Sequence, residues 1–413
     1  MRVLFAHTNY PAQFGAFGEW LAEQGDEVVF LTQREGARGR GISVLTCRDH
    51  RPSGETVHRY LRGLEKAVIT GQAFARAALG LARRGWAPEA MMAHTGWGAG
   101  AFLKDVWPEA AFAAYCEWHY AWPNPDRTPW DAPARDPVDA RARNRLRNAP
   151  LWLDLSAADA AFCPTEFQAA QFPEPIRRRL TVLHDGIDTD RMSPGEGGRA
   201  ILARWGVPED AEVVTSITRG MEPHRGFPET MRAIALLQRR RPRLHALIGG
   251  EDRVAYGAKL PEGESWKARM LAELDLDLSR VHFTGLLSRD DMASVLRASD
   301  AHLYLTVPFV LSWSLLDAMA AGCLLVASDT APVREFVTDG ETGLLVPMHD
   351  PEALAARVEE ALDGAEALRP LRAAARALVV ERLDAKRVIW PRRRAALARL
   401  AAGASGQALE RGV

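Results

Sequence analysis

Two arginines and a serine-led helix are the parts of this chain whose residue types and spacing best suit chemistry. Ser216-Ile217-Thr218-Arg219 ends an apolar run, and Arg225-Gly226-Phe227-Pro228 opens the helical segment after it. A turn containing glycine and proline separates the arginines. Two guanidinium groups so placed offer paired N–H donors to anionic oxygens, as in a clamped diphosphate. Taken alone, they fit a pair of surface arginines better. A second anion site is written further on. Pro308-Phe309-Val310-Leu311-Ser312 precedes a short helix expected over about Ser314–Ala321, with Ser312 and Ser314 as cap residues and Gly322 as its stop. Free N–H groups and the dipole at such a helix start favour phosphate. In isolation the same letters describe an ordinary buried β-α-β unit.

Carboxylate and imidazole occur together in Tyr115-Cys116-Glu117-Trp118-His119-Tyr120, after another apolar run. Glu117 and His119 share a side only while the chain stays extended. A carboxylate there takes a proton from a hydroxyl; the competing reading pairs it with an arginine. His94-Thr95-Gly96-Trp97-Gly98-Ala99-Gly100 superficially resembles a dinucleotide fingerprint, with Glu117 where a ribose-binding acid would stand. Its third glycine comes early, and the segment is not the first β-α turn of its domain. We read it as a cleft loop whose glycines permit close backbone approach. His94 touches a ligand there, or is structural. Asn9–Gly15, with Gln13, Phe14 and Gly15, forms the first loop. Asp188-Thr189-Asp190 has the letters of a metal-binding acid pair but falls near an expected hinge.

The elements that must hold these residues alternate strand and helix. Strands are expected at Arg2–Ala6, Glu27–Leu31, Ala90–His94, Ala111–Tyr115, Ala160–Cys163 and Leu180–Leu183. Helices are expected at Phe17–Gln24, Val57–Arg84, Ala140–Ser156 and Thr165–Gln171. Pro194–Gly198 reads as a linker. A second series follows, with strands at Val213–Ile217, Leu244–Ile248, Val281–Phe283, Ala301–Leu305 and Leu324–Ala327, and helices such as Phe227–Arg239 and Met292–Ser299. The expected fold class is α/β: two Rossmann-like doubly wound domains facing a central cleft, with ligands at the carboxyl ends of the strands. The domains run over 1–192 and 193–385. The last dozen residues, Ala402–Val413, read as frayed.

A chain of 413 residues that is 47% hydrophobic can bury two cores. Its net charge of -1 provides no global field to recruit nucleic acid. The clusters Arg177–Arg179, Arg239–Arg241 and Arg392–Arg394 read as solvated helix faces or ends. Cys47, Cys116, Cys163 and Cys323 are scattered, which suits a reducing compartment and not a zinc site. The start of the chain lacks a signal-peptide pattern, and no apolar run approaches the ~20 residues of a membrane span.

The stretch Asp317-Ala318-Met319-Ala320-Ala321-Gly322 resembles the donor-binding signature of the retaining, two-domain glycosyltransferases of family 4, whose fold is called GT-B. That signature is an acidic residue, then a spacer, then a second acidic residue followed by Ala-Met-Ala-x-Gly. Ser328–Glu335, Asp339-Gly340 and Gly343-Leu344 match as well. Phe309 departs, standing where the first acid usually stands. Asn9–Gly15, His94–Gly98, Glu117–Tyr120, Arg145–Leu155 and His184–Asp190 are similar to one bacterial subgroup, so the resemblance covers nearly the whole chain.

The resemblance implies a nucleotide-diphosphate-sugar donor on the second domain and an acceptor hydroxyl on the first. Arg219 and Arg225 would neutralise the leaving diphosphate, and the backbone of Phe309, Val310, Leu311 and Ser312 would meet it. Asp317 would accept from the ribose diol; otherwise it compensates the helix dipole. Glu117, with His119 nearby, would take the place where many members carry a histidine. Gln13, Phe14, Gly15, His94, Gly96, Trp97 and Gly98 would line acceptor or cleft loops. The final helices, about 386–413, would pack back on the first domain. No metal and no cofactor besides the donor substrate is expected. The acceptor would be a sugar, a lipid-linked molecule or a small molecule, in polysaccharide or glycolipid assembly. The protein would be cytoplasmic, with contact at the inner face of the membrane. Two alternatives stand beside this: a nucleotide-sugar epimerase or NAD-dependent oxidoreductase using Gly96–Gly100, and a catalytically silent sugar-nucleotide-binding protein.

Overall fold

Short apolar runs become parallel strands here because helical crossovers cover both faces of each sheet. The computed structural model describes residues 1–195 and 198–404. Part of the expected linker (Glu196, Gly197) and most of the expected frayed tail lie outside them.

The chain divides into two units. The first holds Met1–Asn124, Pro133–Asp185 and the chain from Lys386. Its strands are β1 (Arg2–Ala6), β2 (Glu27–Thr32), β3 (Ser43–Thr46), β4 (Ala90–His94), β5 (Ala111–Tyr115), β6 (Ala160–Cys163) and β7 (Leu180–Val182). They form one parallel sheet in the order β3-β2-β1-β4-β5-β6-β7. Every residue of β4 and β5 is buried. The helix Arg62–Ala82 packs Ala73, Phe74 and Ala78 on one face of this sheet, against Leu4, Met91 and Phe112.

The second unit holds Pro125–Ala132 and Gly186–Ala385. Its strands are β8 (Glu212–Gly220), β9 (Leu244–Glu251), β10 (Val281–Gly285), β11 (Ala301–Tyr304), β12 (Leu325–Ser328) and β13 (Leu344–Val346). The order is β10-β9-β8-β11-β12-β13, again all parallel. In each sheet the order reverses beside the first strand of the unit, between β1 and β4 and between β8 and β11. Loops on either side of such a reversal part and leave room for a ligand at the carboxyl ends.

Several expectations change. The single helix expected over Ala140–Ser156 is two, Pro137–Arg147 and Ala149–Ala157, because Asn148 turns its side chain to the backbone of Tyr120 and Pro150 starts the second helix. The chain changes unit after Asp185. Pro125–Ala132 joins the second unit, where the Trp130 ring sits 5.1 Å from that of Trp266 and 5.0 Å from the Arg232 guanidinium. The arginines at 392–394 are not simply a solvated face. Arg393 is fully buried against Asp185 at 3.1 Å, and Arg394 binds Asp26 at 2.6 Å, which fastens the helix Trp390–Ala401 to the first unit. Among the described residues no helix is long and apolar enough to cross a membrane.

Candidate active site

In the second unit the reversal between β8 and β11 is bridged by one side chain. The loop after β8 turns sharply at Gly226 (φ 62°), where a Cβ would lie 2.4 Å from Cβ of Leu305. Only glycine permits that approach, and it presses Arg225 toward the loop after β11. Arg225 is 4% exposed. Its Nη1 donates to Thr306 Oγ1 at 2.7 Å and its Nη2 to the Val310 carbonyl at 3.0 Å. Its guanidinium lies 5.0 Å from the Tyr256 ring and 5.7 Å from the Phe309 ring. No carboxylate pairs with it among the described residues. A buried cation left without a counter-ion is costly and is best explained as an anion site.

The surroundings agree with that. Ser312 caps the helix Trp313–Ala320, its own N–H donating to the Tyr304 hydroxyl at 2.9 Å. This helix start stands on the same loop that Arg225 holds, so its dipole adds to the positive potential there. Arg219 sits exposed near the end of β8, without an ion pair among the described residues. Phe309 is buried against Tyr256 at 5.3 Å and edge-on to His224 at 6.0 Å. Leu311 is buried beside it and Val310 is half-buried.

Two residues absent from the sequence reading shape this site. Glu222, fully buried, accepts from the backbone N–H groups of Ala255, Tyr256 and Gly257 at 3.1, 3.0 and 2.9 Å. It thereby fixes Tyr256 beside Arg225. Its partners lie far along the chain, so no local signal marks it. Arg289 is the other, and it changes the reading of Asp317. Asp317 is 1% exposed, and both its oxygens are held by Arg289, at 2.7 and 2.9 Å. Burial keeps its carboxyl above the ordinary range although Arg289 opposes the shift. In this structure the carboxylate is an anchor for a guanidinium.

In the first unit the corresponding reversal gathers Gln13 from the loop after β1, His94 from the end of β4 and Glu117 from the loop after β5. Gln13 Nε2 donates to Glu117 Oε1 at 2.8 Å, and His94 Nε2 lies 3.4 Å from Glu117 Oε2. His94 Nδ1 faces the Thr95 carbonyl at 2.9 Å, so that nitrogen carries a proton. Burial opposes charge on His94, yet the hydrogen bond and charge of Glu117 outweigh it and raise its pKa. The result is a histidine–carboxylate pair at the carboxyl ends of the strands, with the carboxylate favouring protonation of the imidazole. Beneath it Asp154, fully buried, accepts from the Gly96 N–H at 3.2 Å, while its Oδ1 has no partner among the described residues. Burial pushes this carboxyl up to about 7.

Other expected residues go elsewhere. His119 does not join Glu117. The chain leaves the extended form after β5, and the His119 ring packs on Trp152 and Phe172 with Nε2 on Asn148 at 3.1 Å. Phe14 lines no cleft; it is fully buried between Phe5, His7 and Tyr115. Gly15 begins the helix Gly15–Glu23, tight against Pro11. Trp97 is 55% exposed. Gly96 has φ 87° and open space at its Cβ position. Gly98 (φ 88°) would place a Cβ 1.9 Å from the Ala67 carbonyl oxygen, and Gly100 would place one 2.8 Å from Cβ of Ala93. Packing of the helix Arg62–Ala82 and of β4 therefore accounts for two glycines of the apparent fingerprint, and the dinucleotide reading loses its support.

Two doubly wound units, one of them presenting an unpaired buried cation at its strand reversal, define the two-domain GT-B class of architecture. The Glycosyl transferase family 4 group matches residues 24–192, and the Glycosyl transferases group 1 matches residues 199–378. The chain belongs to the family 4 glycosyltransferases. It is similar to the D-inositol 3-phosphate glycosyltransferase of Streptomyces avermitilis, 30% identical over 54% of this chain and 48% of that protein. The enzyme of the same name from Mycolicibacterium smegmatis is 31% identical over 50% of this chain and 46% of that one. The matched region thus spans about half the length of these curated relatives. Solved structures of like fold include sucrose-phosphate synthase from Thermosynechococcus elongatus, with TM-score 0.72 and 17% identity over 98% of this chain and 99% of that one. Anabaena HepE in complex with UDP-glucose has TM-score 0.67 and 16% identity over 93% and 96%.

Proposed function

We propose that this protein is a retaining glycosyltransferase that moves a sugar from a nucleoside-diphosphate donor to an acceptor hydroxyl. The observation that carries the reading is Arg225, a guanidinium 4% exposed and without a carboxylate partner among the described residues, held across the β8–β11 reversal by Thr306 and Val310. In the reaction the bond from the anomeric carbon to the diphosphate oxygen breaks, and its electron pair stays on that oxygen. Arg225 and Arg219 meet the growing charge with donors already in place, and the dipole of the helix that starts at Trp313 adds to them. The acceptor oxygen forms the new bond, and its proton passes to the departing diphosphate.

Glu117 has both carboxylate oxygens engaged, by Gln13 and His94, so it braces a sugar hydroxyl better than it abstracts a proton. The donor is the only small molecule besides the acceptor that this reading requires. HepE, a neighbour in fold, was seen with UDP-glucose, and the same class of donor is proposed here. The curated relatives are named for an inositol phosphate acceptor, which favours a polyol or sugar hydroxyl over a macromolecular acceptor.

The test is a thermal-unfolding screen with UDP-, GDP-, dTDP- and ADP-sugars, followed by measurement of nucleoside diphosphate released. A true donor stabilises by ~2.7 kcal/mol at a hundredfold excess over its Kd. If no nucleotide stabilises the protein and none is turned over, the reading is wrong.

A further inference from the structure

The geometry points to Arg289 as a specificity-determining residue for the nucleoside part of the donor, presented by Asp317. The inference rests on the reading above. Asp317 lies one turn into the helix whose start faces the diphosphate anchor, the distance along the helix at which a nucleoside would follow its phosphates. A carboxylate at that place is expected to accept hydrogen bonds from a ribose diol, but this one is enclosed, and Arg289 occupies both of its oxygens. The solvent-facing group is the guanidinium, whose side chain is 42% exposed against 1% for its partner. The polarity of the subsite is therefore reversed, from acceptor to donor.

Arg289 suits this task. A guanidinium carries five N–H donors, and the bidentate pair consumes two of them. Nη1 also lies 3.9 Å from Met292 Sδ, a weak contact. The planar fork clamped on a buried carboxylate fixes the direction of the remaining N–H groups, which a lone flexible cation would not have. Arg289 opens the helix Arg289–Ala298, just after β10. Three residues before it, in the loop that leaves β10, Leu286 is 62% exposed and supplies apolar surface on the same loop as the hydrogen-bonding edge, the combination a nucleoside needs. A fixed donor edge reads oxygen lone pairs. A nucleoside supplies these from ribose hydroxyls or from base carbonyls, and the experiment separates the two.

Calorimetry would measure binding of inorganic pyrophosphate, UDP, 2′-deoxy-UDP, GDP and ADP to the wild type and to Arg289→Gln, Arg289→Lys and Asp317→Asn. We expect Arg289→Gln to weaken the tighter of UDP and GDP about tenfold or more, the scale of one charge-assisted hydrogen bond. Pyrophosphate binding should stay within about twofold on the same reasoning, since the nucleoside contact is absent. It also reports that the variant is folded. Arg289→Lys, which keeps charge without the fork, should fall between. Asp317→Asn should follow Arg289→Gln, because the guanidinium loses its anchor. A ribose contact shows as loss of the preference for UDP over 2′-deoxy-UDP in Arg289→Gln; a base contact shows as loss of the preference over ADP. Unchanged or tighter UDP and GDP binding by Arg289→Gln, with weakening confined to Asp317→Asn, would overturn the inference and return the ribose to Asp317. Failure of the wild type to bind pyrophosphate or any nucleotide would instead strike the proposed function itself.

Discussion

Replacing Arg225 by glutamine should separate stability from binding in opposite directions. The guanidinium spends donors on Thr306 Oγ1 and the Val310 carbonyl and retains others for a ligand. Two charge-assisted bonds to a phosphate are together worth ~3–6 kcal/mol, so diphosphate affinity should fall by roughly two to four orders of magnitude. The empty protein should behave differently. Losing two hydrogen bonds costs ~1 kcal/mol each, and losing the contacts with Tyr256 and Phe309 costs ~0.5–2 kcal/mol. Against this, a cation with no carboxylate partner no longer has to be kept out of water, a relief of several kcal/mol. Thr306 stays satisfied, since its hydroxyl also reaches the Val307 carbonyl at 3.0 Å. The opposing quantities nearly cancel, and unfolding of the ligand-free variant should lie within ~1 kcal/mol of wild type. Thermal unfolding without ligand and calorimetry with pyrophosphate, run side by side, check both halves. Unchanged pyrophosphate affinity would refute the anion site. Severe destabilisation of the empty protein would make Arg225 a structural residue.

The first unit yields two further predictions. The His94–Glu117 pair holds the imidazole pKa above its ordinary value. Its contribution is complete below the unfolded pKa of ~6.5 and is lost as pH rises through the folded one. Glu117→Gln should therefore move the alkaline limb of the transfer rate to lower pH while leaving diphosphate affinity intact; an unmoved limb in the pH–rate profile would count against the pair. Asp154, raised to about 7, binds a proton in the folded state that the unfolded chain has released. Stability attributable to it thus falls as pH rises from ~4 to ~7 and stays low above that. Asp154→Asn mimics the neutral carboxyl and should raise stability by ~2–4 kcal/mol at pH 8 and by little at pH 4. Equal differences at both values, read from denaturant midpoints, would show that Asp154 does not titrate in this way.

Local pattern revealed what local forces decide. The ranges of β1, β4, β5 and β6 could be read from apolar runs, because central parallel strands are buried on both faces. β3 is a half-exposed edge strand and β13 has three residues, so neither carries such a run, and both were missed. Arg225 was legible as a charge at a strand end, but its burial depends on Gly226 meeting Leu305, a contact between distant segments. Phe14 and Gln13 are neighbours in one loop, yet one fills the core and the other reaches Glu117. Side-chain direction in an irregular loop follows tertiary packing, and no periodicity encodes it. His119 failed for a related reason: the alternation that would align it with Glu117 ends with β5. The roles of Glu222 and Arg289 rest wholly on remote partners. For Asp317 the apolar setting Leu315-Leu316-Asp317-Ala318-Met319 was the available signal, since a carboxylate enclosed by such neighbours needs a cation brought to it.

The two units solve one geometric problem with opposite electrostatics. In each, polar side chains collect at the gap beside the first strand. In the second unit the collected group is an unpaired guanidinium beside a helix start, so the site carries net positive charge and suits a diphosphate. In the first unit the collected groups are an imidazole and a carboxylate that favours its protonation, with the amide of Gln13 beside them. A cluster rich in donors and acceptors, with a carboxylate against its imidazole, has no uncompensated positive charge for phosphate but matches the hydroxyls of a sugar or polyol. The division of labour between donor and acceptor therefore follows from which charges each unit leaves uncompensated, and it predicts that pyrophosphate protects the second unit from hydrogen exchange while leaving the loops of Gln13, His94 and Glu117 unprotected.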